Sequence, residues 1–128
     1  MNAKLEMVAR YLLALALLVF GADKFLHFMP HPEPPEAGGQ YLGALFGAGF
    51  IFPTIGVVFI VAALCLLTKR VVLALLLVSP VILNILLYHA TYDVPGIGAG
   101  AVLAVLALAL FCFHARGVAM LFQPNEMK

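Results

Sequence analysis

Residues Val71 to His89 read VVLALLLVSPVILNILLYH, nineteen positions without a charged side chain before the terminal histidine. As a helix this run spans about 28 Å, the thickness of a bilayer's hydrocarbon core. No polar alternation suggests a barrel strand, and backbone groups in lipid must be satisfied inside their own segment, so the stretch predicts a transmembrane helix. Three more apolar runs flank it: residues 10–28, 44–67 (interrupted by Pro53) and 97–114. Across the 128 residues, 65% of positions are apolar and 10% charged, where soluble domains carry about 25% charge. One domain of this size cannot hide so much apolar surface from water. The expectation is an all-α integral membrane four-helix bundle, a single domain over residues 1–128.

Basic residues orient it. Lys4 and Arg10 precede helix 1, Lys69 and Arg70 separate helices 2 and 3, and Arg116 and Lys128 follow helix 4. The first loop holds only Lys24, and the third holds no Lys or Arg, while Asp23, Glu33, Glu36 and Asp93 collect on that side. Positive charge is retained in the cytoplasm, so both termini are expected there. A cut after Ala22 would place bulky Phe20 where a signal peptidase needs a small residue, so helix 1 is expected to stay. The seven Lys and Arg form no patch suited to nucleic acid, and the lipid bilayer is the partner the composition implies.

The connections differ in kind. TKR, between helices 2 and 3, is tight enough to make them antiparallel neighbours, and TYDVPG is nearly as short. The first loop, MPHPEPPEAGG, is too rich in proline for a helix. After it, Tyr41, Leu42, Leu45 and Phe46 recur at helical spacing, with Gly43, Gly47 and Gly49 among them. Residues 40–49 are expected to form a short interfacial or re-entrant helix between helices 1 and 2, favoured over one long helix kinked at Pro53. Helix 2 then runs over residues 53–67, helix 3 over 71–89 and helix 4 over 97–114. Pro53 suits a first turn.

Polar residues within the apolar runs are the candidate site, since intramembrane polar groups mark function by default. Lys24 lies about 6 Å and Asn84 about 7.5 Å from the outer ends of helices 1 and 3, with His27, Tyr88 and His89 nearer the mouth. Each has an ordinary alternative: a snorkelling lysine, a helix-to-helix amide bond, interfacial aromatic anchors. Together, at matched depth, they suggest a ligand-binding pocket. An ammonium can hold an anionic or carbonyl oxygen, an amide donates and accepts at once, and an imidazole passes protons near neutral pH. A quinone headgroup with its apolar tail suits such a site. Bis-histidine haem ligation by His27 and His89 has no supporting motif and is disfavoured. Cys65 and Cys112 lie at similar depth near the inner ends, outside any Cys-x-x-Cys pair, and are read as apolar packing. No metal site, acidic pair, phosphate loop or catalytic triad is evident.

The stretch F-G-A-D-K-F, Phe20 to Phe25, followed by F-M-P at Phe28 to Pro30, resembles the end of helix 1 in DoxX-like membrane proteins. S-P-V-I-L-N-I-L-L-Y-H, Ser79 to His89, is similar to helix 3 of that family. The loop lengths and the outer segment with Tyr41 extend the resemblance over nearly the whole chain. It implies a four-helix protein of a bacterial cytoplasmic membrane, an accessory subunit in redox metabolism of the kind found in thiosulfate:quinone oxidoreductase. More distant relatives imply the alternative, an assembly factor, chaperone or scaffold for a partner protein. Lys24, Asn84 and His89 match the family's recurring polar positions. Many members carry a glutamate in helix 2 where this chain has Phe59; if that glutamate serves as proton carrier or lysine partner, this chain lacks it. The ligand, a membrane or redox partner and the oligomeric state stay open at this stage.

The orientation is testable. In a background with Cys65 and Cys112 replaced by serine, cysteines placed at Glu36 and Asp93 should react with a membrane-impermeant thiol reagent in intact cells. One placed at Lys69 should react only after the membrane is opened. Labelling at position 69 from outside would reverse the assignment.

Overall fold

The computed structural model describes residues 2–30 and 33–126. His31 and Pro32 of the proline-rich loop, and Lys128 of the basic tail, lie outside them. The described residues contain helices and no strand. They run α1 (Ala3–Leu26), α2 (Glu36–Ala48), α3 (Ile51–Leu67), α4 (Val71–Tyr92), a 3-10 turn (Val94–Gly96), α5 (Gly98–Phe113) and α6 (Ala115–Met120).

α1 and α4, of 24 and 22 residues, are long and apolar enough to cross a membrane. α2 and α3 pass the same test only as a pair, bent by 84° at their junction, and α5 is a shorter apolar helix of 16 residues. Large apolar side chains face outward along every one of the long helices, among them Leu15, Leu64, Leu83 and Leu108. These features fit an integral membrane protein. A short helix separate from α3 is what the glycines predicted, although it begins four residues earlier than expected. Pro35 serves as its N-cap, so Glu36 to Gly39 are already helical. Gly49, at φ 80°, ends it, a left-handed conformation that glycine adopts without steric cost. Pro53 falls in the first turn of α3, where a missing N–H breaks no helical bond.

α1 also starts earlier than the apolar run implies. Asn2 caps it, its side-chain oxygen accepting from the Lys4 amide at 2.8 Å. α3 closes in a Schellman motif: the Arg70 amide donates to the Cys65 carbonyl at 2.7 Å and the Lys69 amide to Leu66 at 3.2 Å. Lys69 occupies the left-handed position usually held by glycine, at φ 64°. Pro80 leaves the carbonyl four residues back without a helical donor, and Ser79 donates its hydroxyl to the neighbouring Leu75 carbonyl at 2.5 Å.

Packing follows a ring. α3 packs against α1 and α4, and α5 packs against the same two, so α1 and α4 stand diagonally across the bundle. Leu13, Leu17, Phe59, Leu66, Leu75, Val78 and Leu110 fill the centre. Phe59 is almost fully buried in that centre. Cys65 is buried and Cys112 faces outward, both as free thiols.

The tightest crossing is α1 on α3. A Cβ on Gly21 would stand 3.1 Å from the Gly56 carbonyl, and one on Gly56 only 3.0 Å from the Gly21 carbonyl. Backbone leaves no room to yield, so Gly21→Leu should force the helices apart. Overpacking of this kind costs about 1–3 kcal/mol or more. Thermal unfolding in detergent, followed by circular dichroism, should show a clear loss, whereas Gly43→Leu, with open space around it, should show none.

One end of the bundle is closed by a buried polar cluster. Arg10 is 7% exposed, and its Nε donates to both Glu6 carboxylate oxygens at 3.0 and 3.3 Å. Its Nη1 donates to the Leu66 carbonyl at 3.3 Å, and His114 Nε2 lies 3.3 Å from Glu6. α1, α3 and α5 are thereby tied together where a lone buried cation would be costly.

Candidate functional site

The opposite end holds every residue expected to bind a ligand. α1 stops at Leu26 because His27 turns left-handed, at φ 52°, while its amide still donates to the Asp23 carbonyl at 2.8 Å. Asp23, buried at 2% exposure, uses its carboxylate to accept from the Met29 amide at 2.8 Å. This cap folds the chain back over the helix end and leaves Lys24 and His27 on its rim.

Lys24 is half-buried, and its stem runs against α3, where a Cβ on Gly56 would come within 2.9 Å of the Lys24 Cβ. Its ammonium makes no hydrogen bond or ion pair with a described residue. The neighbouring Asp23 carboxylate accepts from the Met29 amide and attracts the ammonium without a direct ion pair. Lys24 and His27 line a pocket of about 160 Å³ with Leu45, Phe46, Gly49, Phe52 and Pro53. The 84° bend between α2 and α3 creates this space. Phe46 and Phe52 meet across the bend with ring centroids 4.7 Å apart, and the His27 ring lies 6.4 Å from that of Phe46. The result is one cation and one imidazole under an aromatic roof.

Asn84, Tyr88 and His89 belong to a different group. Tyr41 of α2 reaches α4, its hydroxyl 3.4 Å from both the oxygen and the nitrogen of the Asn84 amide, a long contact at an exposed position. The Tyr41 ring stacks on Tyr88 and Tyr92 at centroid distances of 5.6 and 5.9 Å. Tyr88 Oη is buried with no hydrogen-bond partner among the described residues, directly beneath Gly38. His89 Nδ1 is 3.2 Å from the Asp93 carbonyl oxygen and 3.7 Å from its carboxylate, which pins the ring at the end of α4.

The five expected residues thus fall into two sets, with no α4 residue among those lining the Lys24 pocket. Lys24 and His27 sit with the α2–α3 bend; Asn84, Tyr88 and His89 sit with the start of α2. Similar depth does not bring them together because α1 and α4 are diagonal. α2 bridges the two sets, meeting α4 through Tyr41 and the pocket through Leu45 and Phe46. Phe46, Phe52, Gly38 and Tyr92 were not singled out for the site from sequence, since nothing in the local pattern says which face of a short apolar helix turns inward. The Glu6 to Arg10 pair did carry a signal, the i, i+4 spacing of opposite charges on a helix.

No family model, no curated protein and no solved structure matches this chain.

The docking of α2 gives a prediction. A Cβ at Gly38 would lie 2.7 Å from Tyr88 Oη and 3.1 Å from Tyr92 Cβ. Gly38→Ala should therefore lift the start of α2 at a cost of about 1–3 kcal/mol. Hydrogen exchange read by mass spectrometry should accelerate roughly tenfold or more in residues 36–48, as local opening becomes easier. Exchange in α4 and α5 should be unchanged.

Proposed function

We propose that this chain is a DoxX-like membrane protein that crosses the bilayer four times, with both termini in the cytoplasm. Its outer pocket holds a lipophilic molecule bearing an oxygen-rich head, of quinone type, and the protein serves as an accessory subunit in redox metabolism. The observation that carries this reading is Lys24, a half-buried cation lining a pocket with no hydrogen bond or ion pair to a described residue. An ammonium in such a setting is costly unless it gains an acceptor. A carbonyl or phenolic oxygen would accept from Lys24, with its ring against Phe46 and Phe52 and its tail leaving between helices into lipid. His27, at the exposed rim, is the side-chain type that exchanges protons with water near neutral pH. The Tyr41, Asn84 and Tyr88 set holds α2 over the pocket and acts on the ligand through that placement.

The pocket supplies binding and orientation. Phe59 stands where the resemblance implies a carboxylate, so a proton delivered through the bundle would need a partner protein.

A second reading is favoured by one feature. Between α1 and α5 runs a wholly apolar groove of about 380 Å³, lined by Leu12, Leu15, Ala16, Val19, Phe20, Met29, Val102 and Leu106. It suits a partner's transmembrane helix, as a scaffold or assembly factor requires.

The two readings separate in one experiment. Protein purified in mild detergent should release a lipophilic molecule on solvent extraction, detected by mass spectrometry. Lys24→Met should reduce its retention about tenfold to hundredfold, the effect of losing a hydrogen bond from a charged donor, with helicity unchanged. If nothing copurifies, and Leu15→Trp instead breaks a membrane complex, the scaffold reading is the better account.

A further inference from the structure

At the end of the bundle away from Lys24, three chain segments meet. Arg10 bonds the Leu66 carbonyl, His114 lies against Glu6, and Gly117 of α6 presses on α4, where a Cβ would stand 2.9 Å from Val72. These contacts bring the start of α1, the α3–α4 turn and α6 to one rim. We propose that this rim is a seat for acidic phospholipid headgroups, formed by Lys4, Lys69, Arg70 and Arg116, with α6 lying along the membrane surface beside it.

The charge balance supports the choice. Glu6 is engaged by Arg10 and His114. The other carboxylate at this end, Glu126, lies in the exposed tail. Lys4, Lys69, Arg70 and Arg116 are all exposed, and none forms an ion pair with a described residue. The buried Glu6–Arg10 pair neutralises itself and leaves the rim strongly cationic.

The apolar neighbours select a lipid over an acidic protein. α6 turns Val118 into the bundle at 6% exposure. Just past Arg116, Met120, Leu121 and Phe122 are 67%, 48% and 83% exposed. A headgroup phosphate meets the cations while the acyl region beneath it receives these side chains, the arrangement of an interfacial amphipathic segment. Lys69 adds geometry: its left-handed backbone turns the α3–α4 connection sharply and sets two cations side by side beyond the helix ends.

Each basic residue near an anionic lipid surface is worth about fivefold in affinity, or about 1 kcal/mol. The site is independent of the Lys24 pocket, so either can fail without the other.

The test uses the full-length protein in detergent with an equimolar mixture of phosphatidylglycerol and phosphatidylcholine, retained lipid being counted by native mass spectrometry. Phosphatidylglycerol should be clearly favoured, and the preference should weaken at high salt because surface charges are screened. The triple variant Lys69→Gln, Arg70→Gln, Arg116→Gln should erase it, an expected loss of roughly a hundredfold from three such charges. These side chains are exposed and form no ion pair with a described residue, so helicity should hold; if the triple variant unfolds, Arg116→Gln alone should lose about fivefold. Glycerol phosphate at the same concentration should not displace the lipid. Equal retention of the two lipids, an undiminished preference in the variant, or displacement by glycerol phosphate would overturn the proposal.

Discussion

The approach of α1 to α3 at Gly21 and Gly56 is the contact on which the rest of this molecule depends. Inside a bilayer, lipid tails are as apolar as leucine, so burying leucine does little to bring helices together. Close packing has to do it, and small residues allow it. Two glycines opposed at carbonyl contact let the backbones touch over the Lys24 end. That proximity pulls the Lys24 stem against Gly56 and places the end of α1 beneath the α2–α3 bend. Gly100 makes room for the Ile85 side chain between α5 and α4, and Gly117 for that of Val72 between α6 and α4. A glycine stands at each of these crossings, and side-chain volume fills what the backbones leave.

Length and charge made the helices legible, and a glycine–proline pattern separated α2 from α3. The limits of that reading are physical. Apolar runs mark where lipid lies, not where hydrogen bonding begins, so the polar first turns of α1 and the Glu36 start of α2 escaped notice. For the candidate site, rise per residue assigns depth along an axis but says nothing of which helices are adjacent. Lys24 and Asn84 were grouped on depth alone. The short connections on either side of α4 carry the missing information, because antiparallel neighbours in a ring put like-directed helices on the diagonal. Asp23 was read only as a charge on the outer side; its work as a buried cap depends on the backbone turn at Met29, which no spacing rule announces.

The two ends are organised on opposite principles. At one, Arg10, Glu6 and His114 satisfy each other and the Leu66 carbonyl, and the unpaired charge is pushed out to the rim. At the other, a cation is left half-buried within an aromatic enclosure. A pairing network stabilises its surroundings but offers nothing to a ligand. An ammonium with no hydrogen bond or ion pair among the described residues does the reverse, and it is held in place by the Gly21–Gly56 crossing beside its stem.

α2 is joined to the body at one edge by Gly49 and fastened nearer the other by the Tyr41 ring, stacked on Tyr88 and Tyr92. Its own hydrogen-bond ladder is independent of this fastening, which consists of those ring contacts, the long Tyr41–Asn84 bond and the Phe46–Phe52 pair across the bend. Aromatic pairs of this kind are worth about 0.5–1.5 kcal/mol each. α2 is thereby built like a flap, with a single glycine joint at one end and a latch made of rings rather than backbone bonds.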